Sequence, residues 1–345
     1  MTETEIREAF AQEGIACHRF GAPLSARLRG RLARLLDRSS RTGARVLDWP
    51  GNPYADALPV RLAAGLNALV RAGELPGLAA HFPPNEIGSD ADFDAALTVA
   101  LHDDRLLPWL DSAPQTNEVA RSGVLMPGLL TIAAETGLPL ALFELGASAG
   151  LNLRLDAYAY DLGGLTIASP AAPIRLAPAW EGAPPPLAEV RIVERRGIDL
   201  NPLDATDAAH RERLLAYVWP EQTERVARLE AALAAAALDP PLVDRGDAAE
   251  WVEANVASVE GRCTVVTHSI AFQYFPSATR RRIAAHLHAV GERATATAPL
   301  AWLRYEFDTS DAGALPTLRL SLWPAGENRL LAHAHPHGAS VRWLG

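Results

Sequence analysis

The chain has 345 residues, 49% of them apolar and 21% charged, which suits one large domain or two modest ones. Its net charge of −9 argues against non-specific binding to nucleic acid or lipid, because such binders carry a basic surface. No apolar run approaches the ~20 residues that span a bilayer, and the charged start MTETEIREAF lacks the apolar segment of a signal peptide. The composition therefore predicts a soluble, cytoplasmic protein with no membrane segment.

Helical periodicity dominates the first part of the chain. Apolar residues recur at helical spacing in PLSARLRGRLARLLDRSS, ADALPVRLAAGLNALVRAG and DFDAALTVALHDDRLLPWL. No convincing alternating strand pattern precedes LPLALFEL. We therefore predict a helical amino-terminal region over residues 1–120.

From LPLALFEL onward the pattern changes, because this short apolar run is typical of a buried parallel strand. Further strands are predicted at VRIVERRGIDLNP, CTVVTHSIAF, PLAWLRYEF and LRLSLWP, and helices at LNLRLDAYAYDL, PEQTERVARLEAALAAAAL and ATRRRIAAHLHAV. This alternation predicts an α/β domain over residues 121–345, with a mainly parallel, doubly wound sheet and helices on both faces. The proline-rich residues 163–189 predict an insertion in that domain, such as a hairpin or flap.

The turn GASAG, residues 146–150, fits two mechanisms. As G-x-S-x-G it makes Ser148 the nucleophile of a serine hydrolase. The residues able to complete a triad downstream are Asp247, Asp308, His333, His335 and His337. However, no HGG-type oxyanion segment precedes the turn, and Glu144 places a charge near a forming oxyanion. The hydrolase is therefore our third hypothesis.

The same turn also suits a nucleotide-like cofactor. After a first parallel strand, the small residues Gly146, Ser148 and Gly150 let the main chain approach a ligand, and the next helix presents free N–H groups. Glu144 is placed to bind a polar group such as an amine. Asn152 can form a hydrogen bond from the first helical turn.

Polar residues also end the later strands. Asp199, in GIDLNP, occupies the position of a second-strand carboxylate that accepts hydrogen bonds from ribose hydroxyls. Asp247, in RGDA, can accept from an adenine amino group while Ala248 packs on the ring. His268 and Tyr274, in THSIAFQYF, are expected to face the reactive end of the ligand. The acids have an alternative role as helix caps or turn residues, and His268 has one as a structural residue.

The segment QTNEVAR adds polar groups before the first strand. These residues either cap a helix or contact the cofactor and substrate. The predicted catalytic bases are His268 and Glu118, and the predicted substrate-binding residues are Gln115, Asn117, Arg121, Asp156, Tyr160 and Tyr274. No metal is predicted, because the histidines of HAHPHG have no carboxylate close by in sequence.

The order E-x-G-x-x-x-G, GIDLNP, GDA and VVTHS resembles the class I S-adenosylmethionine-dependent methyltransferases, with Ser148 where the common pattern has glycine. This resemblance implies a Rossmann-like fold that binds S-adenosylmethionine through the turn, Asp199 and Asp247. The segments QTNEVARSGVLMPGL, ELGASAGLNLRLDAYAYDLGG, RRGIDLNPLD and YVWPEQTERVARLEAAL are similar to the bacterial domain-of-unknown-function 2332 family, over nearly the whole chain. We predict a methyltransferase for a small molecule; the alternative is a non-catalytic protein that binds or senses an adenosyl ligand. The oligomeric state stays open.

Overall fold

A computed structural model describes residues 2–86, 88–169, 171–307 and 315–345. The chain forms two compact units, which comprise Met1–Thr116 with Ala208–Glu230, and Asn117–Asp207 with Ala231–Gly345. Residues 208–230 thus belong to the first unit by their contacts, whereas the division predicted from the sequence places them with residues 121–345. Asp308, one of the acids considered for a hydrolase triad, lies outside the described residues.

The helices and strands are as follows. The helices are α1 (Glu3–Arg19), α2 (Pro23–Leu35), α3 (Arg41–Leu47), α4 (Leu58–Arg71), α5 (Pro76–Ala79), α6 (Asp90–Ala100), α7 (Leu107–Asp111), α8 (Ser122–Thr136), α9 (Ala208–Ala216), α10 (Thr223–Leu238), α11 (Ala248–Asn255) and α12 (Ser277–Gly291). The strands are β1 (Leu140–Leu145), β2 (Ala159–Leu162), β3 (Leu165–Ile167), β4 (Arg175–Leu176), β5 (Ala179–Glu181), β6 (Ile192–Asp199), β7 (Val243–Arg245), β8 (Cys263–Ser269), β9 (Leu300–Glu306), β10 (Thr317–Trp323), β11 (Asn328–Ala334) and β12 (Ser340–Trp343). Short 3-10 helices occur at Asp104–Leu106, Val119–Arg121, Leu151–Ala157 and Phe272–Tyr274.

The first unit is built around the predicted amphipathic helices. Leu24, Leu28 and Leu32 of α2 are buried in one apolar cluster that also holds Ile6 of α1 and Leu62 of α4. Burying one leucine side chain contributes about 1.5–3 kcal/mol, so these stripes account for much of the stability of the unit. The helical periodicity of this region is confirmed.

The second unit contains a nine-stranded sheet in the order β5-β12-β11-β10-β9-β8-β1-β6-β7. Five adjacent strands of this sheet, β9, β8, β1, β6 and β7, are parallel to one another. The strands from β9 to β12 pair antiparallel as a meander, and β5 lies parallel to β12 at the edge. A large, mostly parallel sheet is therefore confirmed.

Helices cover both faces of this sheet, as alternate residues of β9 show. Trp302 packs into a core that includes Val252 of α11 and Leu287 of α12. Its neighbour Leu303 points to the opposite face, where a Cβ added to Gly128 of α8 would lie 2.6 Å from Leu303 Cδ1. Glycine at this position therefore allows α8 to approach the sheet closely.

The predicted helix at LNLRLDAYAYDL is wrong in its second half. The segment forms a 3-10 helix over Leu151–Ala157 and then continues as β2. β2 pairs with β3 and β4 in a separate three-stranded sheet, while β5 joins the large sheet. The predicted insertion at 163–189 is thus divided between two sheets.

Within the described part of the chain, no helix combines the length and the apolar character needed to cross a bilayer.

Candidate functional site

The turn after β1 lies at the topological switch point of the sheet, where the strand order reverses. The chain passes from β1 to β6 on one side and later returns to β8 on the other. The N–H groups of Gly146 and Ala147 both donate to Ile198 O, at 2.9 and 3.1 Å, which fastens the turn to β6. Ligands of open α/β sheets bind at the carboxyl ends of strands at such a switch point.

The turn backbone is left-handed at three alternate positions. Gly146, Ser148 and Gly150 have φ angles of 71°, 53° and 68°. This region favours glycine, so Ser148 adopts a strained conformation. The N–H of Ser148 donates to Asp199 Oδ2 at 2.9 Å, and this bond links the turn to the end of β6.

The two glycines of the turn are required by the protein's own packing. A Cβ at Gly146 would lie 2.7 Å from Ala271 Cβ, and one at Gly150 would lie 2.7 Å from Pro241 Cγ. Both distances are too short for real side chains. Side-chain neighbours thus account for glycine at these positions before any ligand is considered.

Two buried polar groups beside the turn each have an atom without a hydrogen-bond partner in the described part of the chain. Glu144 at 1% exposure and Asn152 at 2% leave Oε2 and Nδ2, respectively, without a hydrogen bond among the described residues. Burial and the negative charge of Asp199 together raise the pKa of Glu144 to about 8, while Arg121 and the Asn152 side chain oppose the rise. Asn152 Oδ1 accepts from Ser122 Oγ at 2.7 Å. Unpartnered buried atoms of this kind point to a bound ligand or water.

The two acids of the later strand ends differ in their surroundings. Asp199 is half-buried, and its Oδ1 accepts from Asn201 N at 2.8 Å. Each carboxylate oxygen has two lone pairs, so Asp199 keeps acceptor capacity beyond its bonds to the backbone. Asp247 caps α11, because its Oδ1 accepts from the N–H groups of Ala249 and Glu250 at 2.9 and 3.1 Å. The buried Ala248 lies directly after this cap.

His268 is buried with both ring nitrogens engaged. Nδ1 lies 2.7 Å from Glu306 Oε1, and Nε2 accepts from Trp302 Nε1 at 3.1 Å. The ring also stacks on Phe272, with ring centroids 4.4 Å apart. His268 therefore offers no free lone pair to a substrate, whereas Tyr274, in the 3-10 helix that follows, is 73% exposed.

Part of the QTNE segment docks onto the turn. Asn117 is buried, and its Oδ1 accepts at 2.9 Å from the N–H of Leu151, which begins the 3-10 helix after the turn. Glu118 is half-buried and caps its own short helix by accepting from Ala120 N at 3.1 Å. Gln115 is half-buried and belongs to the first unit. Asn117 thus holds the first residue of the 3-10 helix next to the turn.

Arg121 forms hydrogen bonds to two segments that are distant in sequence, the end of β8 and the loop between β11 and β12. Its Nε donates to Pro336 O at 3.0 Å, and its Nη1 donates to Ser269 O at 2.8 Å. Burial lowers the pKa of this guanidinium. The loop of Pro336 also approaches closely at Gly338, where an added Cβ would lie 2.3 Å from Ala120 O. The predicted substrate-binding Arg121 is therefore, in this structure, a connector between backbone carbonyls.

Asp156 and Tyr160 lie in the packing beside the turn. Asp156 forms two hydrogen bonds of 2.7 Å with Arg195. Tyr160 is fully buried and donates its hydroxyl to Leu155 O, and burial raises its pKa. Among the described residues, no group of three or more His, Cys, Asp or Glu side chains is arranged to hold a metal ion.

Glu306, at the end of β9, was missed by the sequence interpretation. Its Oε1 accepts from His268 and from the N–H groups of Ala271 and Phe272, at 3.0 and 3.1 Å. Its Oε2 is buried and has no partner among the described residues. The segments PLAWLRYEF and LPLALFEL both have an acid as their penultimate residue, and this was the signal available in the sequence. The loop after β8, which carries the donors Ala271 and Phe272, is strained, since Ile270 has a φ of 49°.

A family model described as "Uncharacterized protein conserved in bacteria (DUF2332)" matches residues 7–343. No curated protein and no solved structure matches the chain. The resemblance predicted from QTNE and ELGASAGLN is therefore confirmed at the level of this family, and the resemblance to methyltransferases stays a prediction.

Proposed function

The chain belongs to the bacterial DUF2332 family, and we propose that it binds S-adenosylmethionine and transfers the methyl group to a small molecule. The observation that carries this proposal is the hydrogen bond from Ser148 N to Asp199 Oδ2. It joins a left-handed turn after the first strand to the acid that ends the neighbouring strand. In nucleotide-binding α/β folds, those two elements hold the phosphate or its equivalent and the ribose.

The strand order supports a Rossmann-like interpretation. Counted from the β7 edge, the parallel strands lie in the sheet in the order β7-β6-β1-β8-β9. Numbered by their order along the chain, these five strands read 3-2-1-4-5. This is the order of the first five strands in the doubly wound dinucleotide-binding fold. The antiparallel strands beyond β9 extend the sheet away from the switch point.

The unpartnered atoms beside the turn fit the polar groups of S-adenosylmethionine. A buried carboxyl group such as Glu144 is costly unless it is paired, and the ammonium group of the methionine part would pair with it. Asn152 Nδ2 would donate to the carboxylate of the same part. Asp199 has the remaining lone pairs that two ribose hydroxyls require.

Only one oxygen of Asp247 is available for the predicted contact with adenine. Its Oδ1 is used by the cap of α11, while its Oδ2 is 3.5 Å from Thr279 Oγ1, a long and weak contact. Oδ2 would therefore accept from the adenine amino group, and Ala248 would pack beside the ring. When bound, S-adenosylmethionine supplies a reactive methyl group, so the task of the protein is chiefly alignment.

The alternatives are distinguished by specific observations. A non-catalytic adenosyl-binding protein would use the same site and would differ only in lacking turnover. For the serine hydrolase, Ser148 Oγ is buried without a hydrogen-bond partner among the described residues, and a serine nucleophile needs an adjacent base. A cytoplasmic location and a small-molecule acceptor remain predictions from the sequence.

Calorimetric titration tests the proposal, with S-adenosylmethionine and S-adenosylhomocysteine as ligands and NAD and FAD as controls. We expect micromolar affinity for the first two only. Asp199→Ala should weaken both at least tenfold with an unchanged circular dichroism spectrum, and the exposed Glu260→Ala should bind as the wild type does. Folded wild-type protein without affinity, or Asp199→Ala with full affinity, would contradict the assignment.

A further inference from the structure

Glu306 is held in one orientation by three donors on a single oxygen. Oε1 accepts from His268 Nδ1 at 2.7 Å, from Ala271 N at 3.0 Å and from Phe272 N at 3.1 Å. The indole N–H of Trp302 can only donate, so His268 Nε2 is an acceptor and the ring proton of the neutral imidazole lies on Nδ1. The imidazole thus donates to Glu306 and fixes the carboxyl plane.

The second oxygen of Glu306, Oε2, is buried and has no partner in the described part of the chain. Arg121 lies within electrostatic reach of Glu306, yet its Nε and Nη1 groups donate to the carbonyls of Pro336 and Ser269. An acceptor that is removed from water and left unpaired destabilises the folded protein, and a charged acceptor does so more. Such an arrangement is expected where a ligand completes the bond.

Glu306 also adjoins the proposed cofactor turn. The N–H donor Ala271 is the residue whose Cβ faces Gly146, 2.7 Å from the position of an added Cβ. Glu306 therefore lies beside the turn on the β8 and β9 side, opposite to Asp199 at the end of β6. A ligand with its ribose over Asp199 that spans the switch point would extend toward the β8 and β9 side, where Glu306 lies.

The charge around the turn favours a cation. The carboxyl groups of Asp199 and Glu306 lie on either side of it, and the Arg121 side chain is already bonded to backbone carbonyls. A carboxylate or phosphate acceptor would be repelled. An alcohol could donate one hydrogen bond to the Glu306 carboxylate, but without the attraction between opposite charges that an ammonium group adds.

We propose that Glu306 is a catalytic residue whose Oε2 binds an ammonium N–H of the acceptor and takes its proton, so that the methyl acceptor is an amine. This inference rests on the proposed methyltransferase function. Oε2 takes one proton from the ammonium group, and the freed nitrogen lone pair forms the new N–C bond. The C–S bond breaks with its electron pair going to sulfur, which leaves a neutral thioether. The methylated amine keeps the positive charge, and Glu306 ends neutral.

The experiment compares benzylamine, benzyl alcohol and benzoate as probes of equal size. Each is titrated calorimetrically into protein saturated with S-adenosylhomocysteine, and methyl transfer from S-adenosylmethionine to each is measured. We expect the wild type to bind benzylamine at least tenfold more tightly than the other two and to methylate it alone. In Glu306→Gln, the ratio of the affinity for benzylamine to that for the other two probes should fall at least tenfold. The rate of methyl transfer to benzylamine should fall at least a hundredfold. The exposed Glu327→Gln is the matched control.

The outcomes separate the two proposals. No binding of S-adenosylhomocysteine by the wild type would refute the proposed function, while a preference for benzylamine that depends on Glu306 would still support the ammonium site. Normal binding of S-adenosylhomocysteine together with no preference for benzylamine, or with an unchanged preference in Glu306→Gln, would overturn the amine assignment. The preference of the wild type among the three probes is decisive even if Glu306→Gln does not fold.

Discussion

Trp302 donates its indole N–H to His268 Nε2 over 3.1 Å. Because that nitrogen is unprotonated, the imidazole is neutral and donates through Nδ1 to Glu306. The pair holds one tautomer in one orientation. We predicted His268 as a catalytic base, and the structure gives that histidine the geometry of a support for a carboxyl group.

Removing the indole donor tests this arrangement. Trp302→Phe should lower the free energy of unfolding by about 1–3 kcal/mol beyond the loss of packing, because His268 Nε2 becomes a buried acceptor without a partner. Urea denaturation measures the change. Trp180→Phe is the comparison, since that indole also donates one hydrogen bond, at 3.0 Å, but at an exposed site. Equal losses in the two variants would show that the bond to His268 adds nothing.

Ser148 provides a test of backbone strain in the turn. Ser148→Gly should leave stability unchanged or raise it by up to about 1 kcal/mol, because relief of the left-handed strain exceeds the extra entropy of glycine in the unfolded chain. Ser148→Val should be destabilising. Thermal unfolding gives the ranking, and calorimetry with S-adenosylmethionine should show retained affinity in Ser148→Gly. Loss of affinity in that variant would instead give the hydroxyl a direct role.

The loop at Gly338 should be far less tolerant than another glycine of the same conformation. Gly338→Ala combines a φ of 69° with a Cβ only 2.3 Å from Ala120 O, so we expect a loss of about 2–4 kcal/mol. Gly137 has a φ of 65° with nothing within 4 Å of an added Cβ, so Gly137→Ala should cost about 1–2 kcal/mol. Denaturant midpoints of the two variants measure the difference. Similar midpoints would mean that the loop moves away from Ala120 freely.

Glu144 should make the stability of the ligand-free protein depend on pH. Its folded pKa of about 8 lies above the ordinary value of 4.5, so the folded state retains a proton that the unfolded chain releases. Stability from this group is present below about pH 4.5 and is lost as the pH rises toward about 8. Glu144→Gln removes the titration and should gain roughly 3–5 kcal/mol over the wild type above pH 8, and little at pH 5.

Unfolding free energies of Glu144→Gln and wild type at intervals from pH 5 to about pH 9 check this prediction. Glu260→Gln, at an exposed position, should follow the wild-type curve. A difference between Glu144→Gln and wild type that stays constant with pH would contradict the raised pKa.

The sequence predicted the parts of the fold that have strong local patterns. The sequence patterns predicted β1, β6, β8, β9 and β10, and Gly137 ends α8 in the left-handed conformation as a glycine after a helix does. β2 was missed because its residues continue a helix-like spacing, although burial of the Tyr158 and Tyr160 side chains favours an extended chain there. β5 has three residues and pairs with β12 far along the chain, and no local pattern indicates such a contact.

Site residues that follow a local sequence pattern were predicted, whereas those whose role depends on partners far along the chain were not. The turn at residues 146–150 and Asp199 were both found from strand ends, and the structure brings them together. Glu306 was missed because sequence does not reveal which donors converge on a strand-terminal acid. The role of His268 depends on Trp302, which is 34 residues away and is positioned only by the pairing of β8 with β9.

Arg121 has a further consequence for how the protein is made. Its guanidinium reaches Ser269 O and Pro336 O, which the ribosome adds 148 and 215 residues later. The turn at residues 146–150 and Asp199 are synthesised long before the second of these carbonyls. During translation, the first strands and the turn between them would therefore be complete before the second of these carbonyls is available to Arg121. Release of a chain that stops short of Pro336 would leave Arg121, a half-buried cation, without one of its two backbone acceptors.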